Sequence, residues 1–435
     1  MRDGPARQGH WGAMRIESFP PGDLAPEAPE RPRPPRRRRR AVSVLSAGLV
    51  VGALLAGIGV ITGAAPDVAL SARAEQTPQQ QVAPDPQAAP DPQAAPEPAD
   101  PRPTCVSMVE ALSPRDRLAQ RLMVGVEAAD PAGAAKIVRD SHVGGIFLGG
   151  NANALLQNKA LDAVQEAGNL PVAVAVDDEG GRVQRIDDLD GELPSARAMA
   201  RKTPEQVRAL AEERGRQLAA RGVTWDLAPD VDVSDQPATS VIGDRSFSND
   251  PAVVTRYAGA FEEGLRQAGV YGVLKHFPGH GHSSGDSHQG RVSVPPLDQL
   301  RQADLKPYTD LLAQLDHDRV GVMVGHLDVP GLTDDLPSSL TPATYTLLRD
   351  EYRFDGVVMT DDLGAMKAVS NRFTLPQASL TALAAGADVA LSSNVEPVAP
   401  ILDTLQQALD SGKIAAVDND RAVERILAAK NLCRR

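Results

Sequence analysis

From residue 106 onward, short apolar runs rich in Val, Ile and Leu alternate with longer amphipathic stretches. A short uninterrupted apolar run is the pattern of a strand covered on both faces, whereas apolar residues recurring at i, i+3 and i+4 mark a helix with one buried face. Eight runs qualify as strands, at 121–126, 144–148, 171–176, 224–228, 272–275, 320–325, 356–360 and 388–391. Helices are expected at 154–167, 203–220, 250–268, 297–315, 341–351, 377–385 and 398–411, with a last one at 420–431. Strands each followed by a helix or a long loop predict the α/β class and a single (β/α)8 TIM-type barrel. A doubly wound open sheet is the alternative. The first strand is followed by no Gly-x-Gly-x-x-Gly turn and no phosphate loop, which weighs against a nucleotide-binding version of it.

The same pattern places the polar residues. Asp177, Asp230, His276, His326, Asp361 and Asn394 each follow an apolar run. In a barrel those strand ends converge on one face, where active sites form.

Ahead of the barrel the chain changes character. Residues 1–40 are polar and Pro-rich and end in five arginines, Arg36 to Arg40. An apolar signal or anchor segment follows at 41–74, uncharged from Ala41 to Ala65. A basic block before an apolar core is a secretory pattern, and Ala72-Arg73-Ala74 fits a cleavage site after Ala74. The apolar run is also long enough to span a bilayer, so an uncleaved anchor with its arginines in the cytoplasm is the other reading. No cysteine near the end of this run supports a lipid anchor. Residues 75–104 read as a disordered Pro-rich linker in which Ala83-Pro84-Asp85-Pro86-Gln87-Ala88 recurs at 89–94. The remainder, 105–435, is the expected barrel domain. Its only two cysteines, Cys105 and Cys433, bracket it. In an exported protein such a pair reads as a disulfide, with two free thiols the alternative.

A net charge of −12 and a pI near 5.2 make the body a poor nucleic-acid binder. Aromatic residues are only 3% of the chain, too few for an added carbohydrate module built on aromatic platforms.

Three motifs carry candidate chemistry. Val357-Val358-Met359-Thr360-Asp361-Asp362-Leu363 runs a buried strand into two acids. Asp361 reads as a nucleophile toward a sugar anomeric carbon, and Asp362 as the N-cap of a short helix. Asp177-Asp178-Glu179-Gly180-Gly181-Arg182-Val183-Gln184-Arg185 mixes acids, glycines and arginines. It reads as a sugar-hydroxyl site or, for Glu179 and Arg182, as a structural ion network. A divalent-metal site suits its interleaved arginines poorly. Lys275-His276-Phe277-Pro278-Gly279-His280-Gly281 leads on to Asp286-Ser287-His288 and holds four of the 8 histidines. An Asp two residues from a His can orient the ring and stabilise its cation, as a general acid requires. The competing reading is a zinc site built from His276, His280, His282 and His288, although the spacing matches no His-Glu-x-x-His helix. Arg245, in Gly243-Asp244-Arg245-Ser246-Phe247, adds a planar donor fork in a long loop.

These motifs together resemble glycoside hydrolase family 3, in its β-N-acetylglucosaminidase branch, over about residues 106–432. The resemblance rests on the Lys275–Gly281 segment with Asp286-Ser287-His288, on Asp177 to Arg185, on Gly243-x-Arg245-x-Phe247 and on Thr360-Asp361-Asp362-Leu363. It implies a retaining hydrolase of terminal β-linked N-acetylglucosamine with Asp361 as nucleophile, His288 as acid/base and Asp286 as its partner. It also implies that Asp177, Arg185, Arg245, Lys275 and His276 hold the sugar. Position 178 is aspartate where many relatives carry histidine. No cofactor and no metal are implied, and a monomer is expected. The long N-terminal extension and terminal cysteines resemble exported members of the branch, which points to peptidoglycan fragments as substrate. The protein would then work outside the cell, in the wall or anchored to the membrane, touching the membrane only through an uncleaved N-terminal segment.

The alternatives are a β-N-acetylglucosaminide phosphorylase or β-glucosidase of the same family, a non-catalytic wall-binding protein, and a metal-dependent hydrolase.

Overall fold

The computed structural model describes residues 100–150 and 154–435. The expected basic region (1–40), the apolar signal or anchor segment (41–74) with its cleavage site, and all but the last residues of the Pro-rich linker (75–104) lie outside the described residues. Among the described residues no helix is long and apolar enough to cross a membrane.

Eight parallel strands follow in chain order: β1 Leu122–Gly125, β2 Gly145–Phe147, β3 Ala173–Val176, β4 Trp225–Asp226, β5 Tyr271–Phe277, β6 Val320–Val324, β7 Val358–Thr360 and β8 Ala390–Ser392. Each pairs with its sequence neighbour up to β7, and β8 pairs back onto β1. Between β7 and β8 the ring closes through one bridge, Met359 to Val389, where the Thr360 amide donates to the Val389 carbonyl at 3.0 Å. The molecule is therefore the (β/α)8 barrel that the alternation predicts, and not an open doubly wound sheet.

The continuous apolar runs have a direct cause. Alternate strand residues point in and out, and both sides are covered. Met123, Phe147, Ala173, Ala175, Trp225, Tyr271, Val273, Met323, Met359 and Leu391 fill the interior, with Trp225 stacked on Tyr271 at 4.4 Å between ring centres. Val124, Ile146, Val174, Val176, Leu274, Val322 and Val358 face outward against the helices. Ile426 and Ala429 of the last helix, Ala416–Ala429, join the inner set. That helix stoppers the mouth where the strands begin.

Four helices open on a capping side chain followed by proline: Ser113 before Pro114–Gln120, Asp130 before Pro131–Ser141, Thr203 before Pro204–Ala220 and Asp250 before Pro251–Gln267. The cap satisfies an orphan amide, and proline at the first helical position has no amide to satisfy. Two of the four, Pro114–Gln120 and Pro131–Ser141, are not marked by the apolar pattern, although the cap-Pro signal stands in the sequence.

The single helix expected at 297–315 is two, Leu297–Leu300 and Lys306–Leu312, because the chain turns at 301–305 and restarts on Pro307. The stretch at 341–351 divides likewise into Pro342–Thr346 and a π-turn, Leu347–Glu351. Of the helix expected at 154–167, only Asp162–Ala167 is regular.

Candidate active site

Strand ends and the loops after them build one cavity of about 380 Å³ at the C-terminal face of the barrel. Asp177, Arg185, Arg245, Lys275, His276, His288 and Asp361 all line it. Asp286 stands behind His288 and does not line it.

Lys275 and His276 are consecutive on β5, where regular alternation would send them to opposite sides. The register against β6 shifts between Leu274 and Phe277, and both side chains reach the cavity. The Lys275 ammonium is buried between Asp177 (2.7 Å) and Glu179 (2.6 Å). Arg245 grips Glu179 with two bonds of 2.8 Å. Burial pushes the Glu179 carboxyl up, but the charges of Arg245 and Lys275 outweigh it and hold the group well below the carboxylate range. Burial works against the Lys275 cation, and Asp177 and Glu179 more than restore it. The result is a rigid charged cradle. Arg185 reaches Asp177 at 3.7 Å from the same side.

Asp178 turns away from this cavity. It is fully buried, and its Oδ2 accepts the amides of Arg185 (2.7 Å) and Ile186 (3.2 Å). Its Oδ1 lies 3.5 Å from the buried Arg214 guanidinium. Burial raises the Asp178 carboxyl against the pull of Arg214. The aspartate thus shapes the turn that presents Arg185 and does not line the cavity. Beside it, burial and the Asp178 charge keep the Asp226 carboxyl well above its usual range.

His276 is oriented from below. A carboxylate only accepts, so the 2.7 Å contact with Asp232 places a proton on His276 Nδ1. Nε2 then faces Arg245 at 3.4 Å as an acceptor. Asp230, Asp232 and His276 are the group among the described residues whose ligand atoms lie close enough for an ion, within 4.8 Å. Most of their valences are spent otherwise, although Asp230 Oδ2 has no hydrogen-bond partner among the described residues. Asp232 accepts the His276 ring and the His280 amide (2.6 Å), and Asp230 faces Arg245 at 3.7 Å. Burial and the Asp232 charge also hold the Asp230 carboxyl well above its usual range. The four loop histidines do not gather round one point either: His282 pairs with Asp304 at 2.9 Å and His288 with Asp286 at 2.7 Å.

Asp361 follows β7, and its amide is tied to the Val324 carbonyl at 2.9 Å. Its Oδ1 accepts the Asp362 amide at 2.9 Å, and Oδ2 has no partner among the described residues. Burial pushes this carboxyl up, but His276, His326 and the Asp362 amide prevail and hold it at about 2. It is an ionised, half-satisfied oxyanion at the edge of a cavity. Asp362 caps no helix. Its Oδ1 accepts the amides of Gly364 (2.9 Å), Ala365 (3.2 Å) and Ser393 (3.0 Å), which fixes the β7 loop to the end of β8. His326 supports the same loop from β6, its Nε2 donating to the Asp362 carbonyl at 2.9 Å.

His288 sits at the tip of the loop after β5, with its side chain 59% exposed. Nδ1 is bound to Asp286 Oδ1, which also accepts the His288 amide at 2.9 Å. Nε2 is left to give or take a proton at the cavity. Asp232, Asp230 and Arg214 carry no motif that marks them, whereas His280 lies inside the Lys275–Gly281 segment. Asp230 is signalled only as a polar residue beyond a strand.

The matched family model, glycosyl hydrolase family 3 N terminal domain, spans residues 114–429. The chain is 51% identical over 327 residues to the beta-hexosaminidase LpqI of Mycobacterium tuberculosis, covering 73% of this chain and 83% of that one. The solved structure of M. tuberculosis LpqI superposes with a TM-score of 0.73 at 50% identity, over 76% of this chain and 97% of that one. A family 3 beta-N-acetylglucosaminidase from a Paenibacillus species gives 0.68 at 32% identity, over 74% and 63%.

Proposed function

The chain belongs to glycosyl hydrolase family 3, and from that premise we propose that it is a retaining exo-β-N-acetylglucosaminidase acting through a covalent glycosyl-Asp361 intermediate. The observation that carries this reading is the pairing of Asp361, ionised with one oxygen free, with the Asp286-bound His288 on the same cavity. Retention needs a nucleophile on one face of the sugar and a proton donor on the other. Asp361 attacks the anomeric carbon while His288 Nε2 protonates the departing oxygen. The Asp286 carboxylate stabilises the cationic ring before transfer. The neutral ring then takes a proton from water, which releases the sugar from Asp361. Lys275, Arg245, Asp177, Arg185 and His276 hold the sugar hydroxyls, and their mutual ion pairs keep them in place between turnovers.

The substrate reading is the N-acetylglucosamine end of peptidoglycan fragments, hydrolysed outside the cytoplasm. Its support is the secretory pattern at 36–74 and the Cys105–Cys433 disulfide, a bond at home in oxidising compartments. The relatives named beta-hexosaminidase support the 2-acetamido sugar. Purified protein should release chromophore from an aryl β-N-acetylglucosaminide, and a fluorinated sugar should label Asp361 covalently. No release from that glycoside, or a label on another residue, sinks the proposal. Loss of N-acetylglucosamine from purified muropeptides tests the natural substrate separately.

A further inference from the structure

The acid/base residue is the most exposed member of the site, yet its neighbour is among the most buried. Ser287 is 1% exposed, and its Oγ shares a 3.0 Å hydrogen bond with Nε2 of His280, itself 2% exposed. The His280 amide is tied to Asp232 Oδ1 at 2.6 Å, and the other oxygen of Asp232 orients the sugar-holding His276. On its far side Ser287 presents its carbonyl to the Ala368 amide at 3.1 Å, and His288 its carbonyl to Lys367 at 3.4 Å. Residues 367 and 368 lie just beyond the loop that carries Asp361. The base of the loop is pinned as well, with Ser234 Oγ donating to the Gly281 carbonyl at 2.9 Å.

We propose that His280 and Ser287 are positioning residues: their hydrogen bond fixes where His288 stands relative to Asp361, and Asp232 couples that placement to the sugar-holding ring of His276. Burial, with His276 beside it, holds the His280 ring down to about 4, so at neutral pH it is an uncharged partner for the hydroxyl. Either tautomer of a neutral ring can make the bond, as donor or as acceptor, because a hydroxyl serves both. Both side chains border the cavity, but the bond between them runs from protein to protein. It sets one end of the proton-transfer distance, and misplacement by a fraction of an ångström is costly for such a step. This inference rests on the reading of His288 as the proton donor.

Leaving-group dependence separates the two ideas. kcat/KM is compared on a 2,4-dinitrophenyl and a phenyl β-N-acetylglucosaminide. The first leaving group departs as a stable anion, and the second needs a proton in the transition state. On the phenyl glycoside Ser287→Ala should lose about ten- to a hundredfold, and on the dinitrophenyl glycoside less than about threefold. His280→Gln should show the same split, and the double variant should match the worse single within about twofold. His288→Ala is the control and should show the largest split. If His288→Ala loses both substrates equally, the acid/base reading fails. If His288→Ala splits while Ser287→Ala affects both substrates alike or neither, the positioning role is overturned. Should His280→Gln fail to fold, the Ser287→Ala arm decides alone.

Discussion

Both ends of the barrel hold a buried carboxylate among cations beside a hollow, and only one end is built for chemistry. At the closed end Asp388 lies between Arg349 (2.6 Å) and Arg425 (2.7 Å). Arg121 stands over it, donating to the carbonyls of Asp388 (3.1 Å) and Ala387 (2.6 Å). The hollow there is about 520 Å³, larger than the 380 Å³ of the sugar cavity. Yet both Asp388 oxygens are saturated, Oδ1 by Arg425 and Oδ2 by Arg349 and the Val358 amide. At the open end Asp361 keeps one oxygen unpaired and His288 one nitrogen. Charge density and empty volume are common to both ends. Unspent valence is what distinguishes the site.

The largest effect should come from spending that valence or removing it. Asp361→Ala should lower turnover of an aryl β-N-acetylglucosaminide by at least about a thousandfold, as the proposed covalent role requires. Thermal melting should stay near that of the parent. A variant that retained a tenth of the activity would erase the contrast between the ends.

Asp388→Asn tests the opposite end. It leaves the partly buried guanidinium groups of Arg349 and Arg425 without their carboxylate and should cost about 3 kcal/mol in urea unfolding. kcat of the folded fraction should be unchanged. A loss of kcat with stability intact would mean that the two ends communicate.

Breaking the Cys105–Cys433 bond, which spans 328 residues, should cost about 2–5 kcal/mol. Paired Cys→Ser replacement should lower Tm in oxidising buffer and leave kcat unchanged.

The smallest effect sharpens the rule about partners outside either end. Glu262, on the helix Pro251–Gln267, is fully buried with neither oxygen hydrogen-bonded, and burial pushes its carboxyl up to about 7. A carboxyl raised in the folded state binds a proton there that the unfolded chain has already released. Its contribution is therefore full below the unfolded value and is lost as pH climbs through the folded one. Stability should fall between about pH 4.5 and 7. Glu262→Gln should flatten that fall and raise Tm at pH 8 by a few degrees. An identical pH profile in the variant would show that Glu262 finds partners in solution.

The fold was legible because its signal is periodic. Each expected strand window meets its observed strand, since residues such as Val174 and Ala175 are covered on both faces and so must all be apolar. Helix ends were less legible. The apolar pattern passes unbroken through the turn at 301–305, and only Pro307 marks the restart. Of the residues that motifs mark, Asp361, His288, Lys275 and His276 line one cavity, with Asp286 behind His288. The supports do not announce themselves. Asp232 meets His276 across 44 residues, and Arg214 meets Asp178 across 36, contacts that exist only after the loops have packed. Asp178, at a position where many relatives carry histidine, is a buried brace for Arg185.

The chain enters and leaves the barrel side by side. The Cys105 amide donates to the Arg434 carbonyl, the Arg434 amide donates to the Pro103 carbonyl, and the disulfide crosses beside them. This stitch has a mechanical meaning. Tension arriving through residue 100 reaches a covalent bond to the segment just past the final helix before it reaches any strand. That helix stoppers the closed mouth, at the end remote from the sugar cradle. Pulled in a force trap from residue 100 with the other handle on a surface helix, the oxidised protein should yield at higher force than the reduced one. A body held by its leading segment in a strained or moving matrix would thus carry its load along one end while the reacting end stays slack.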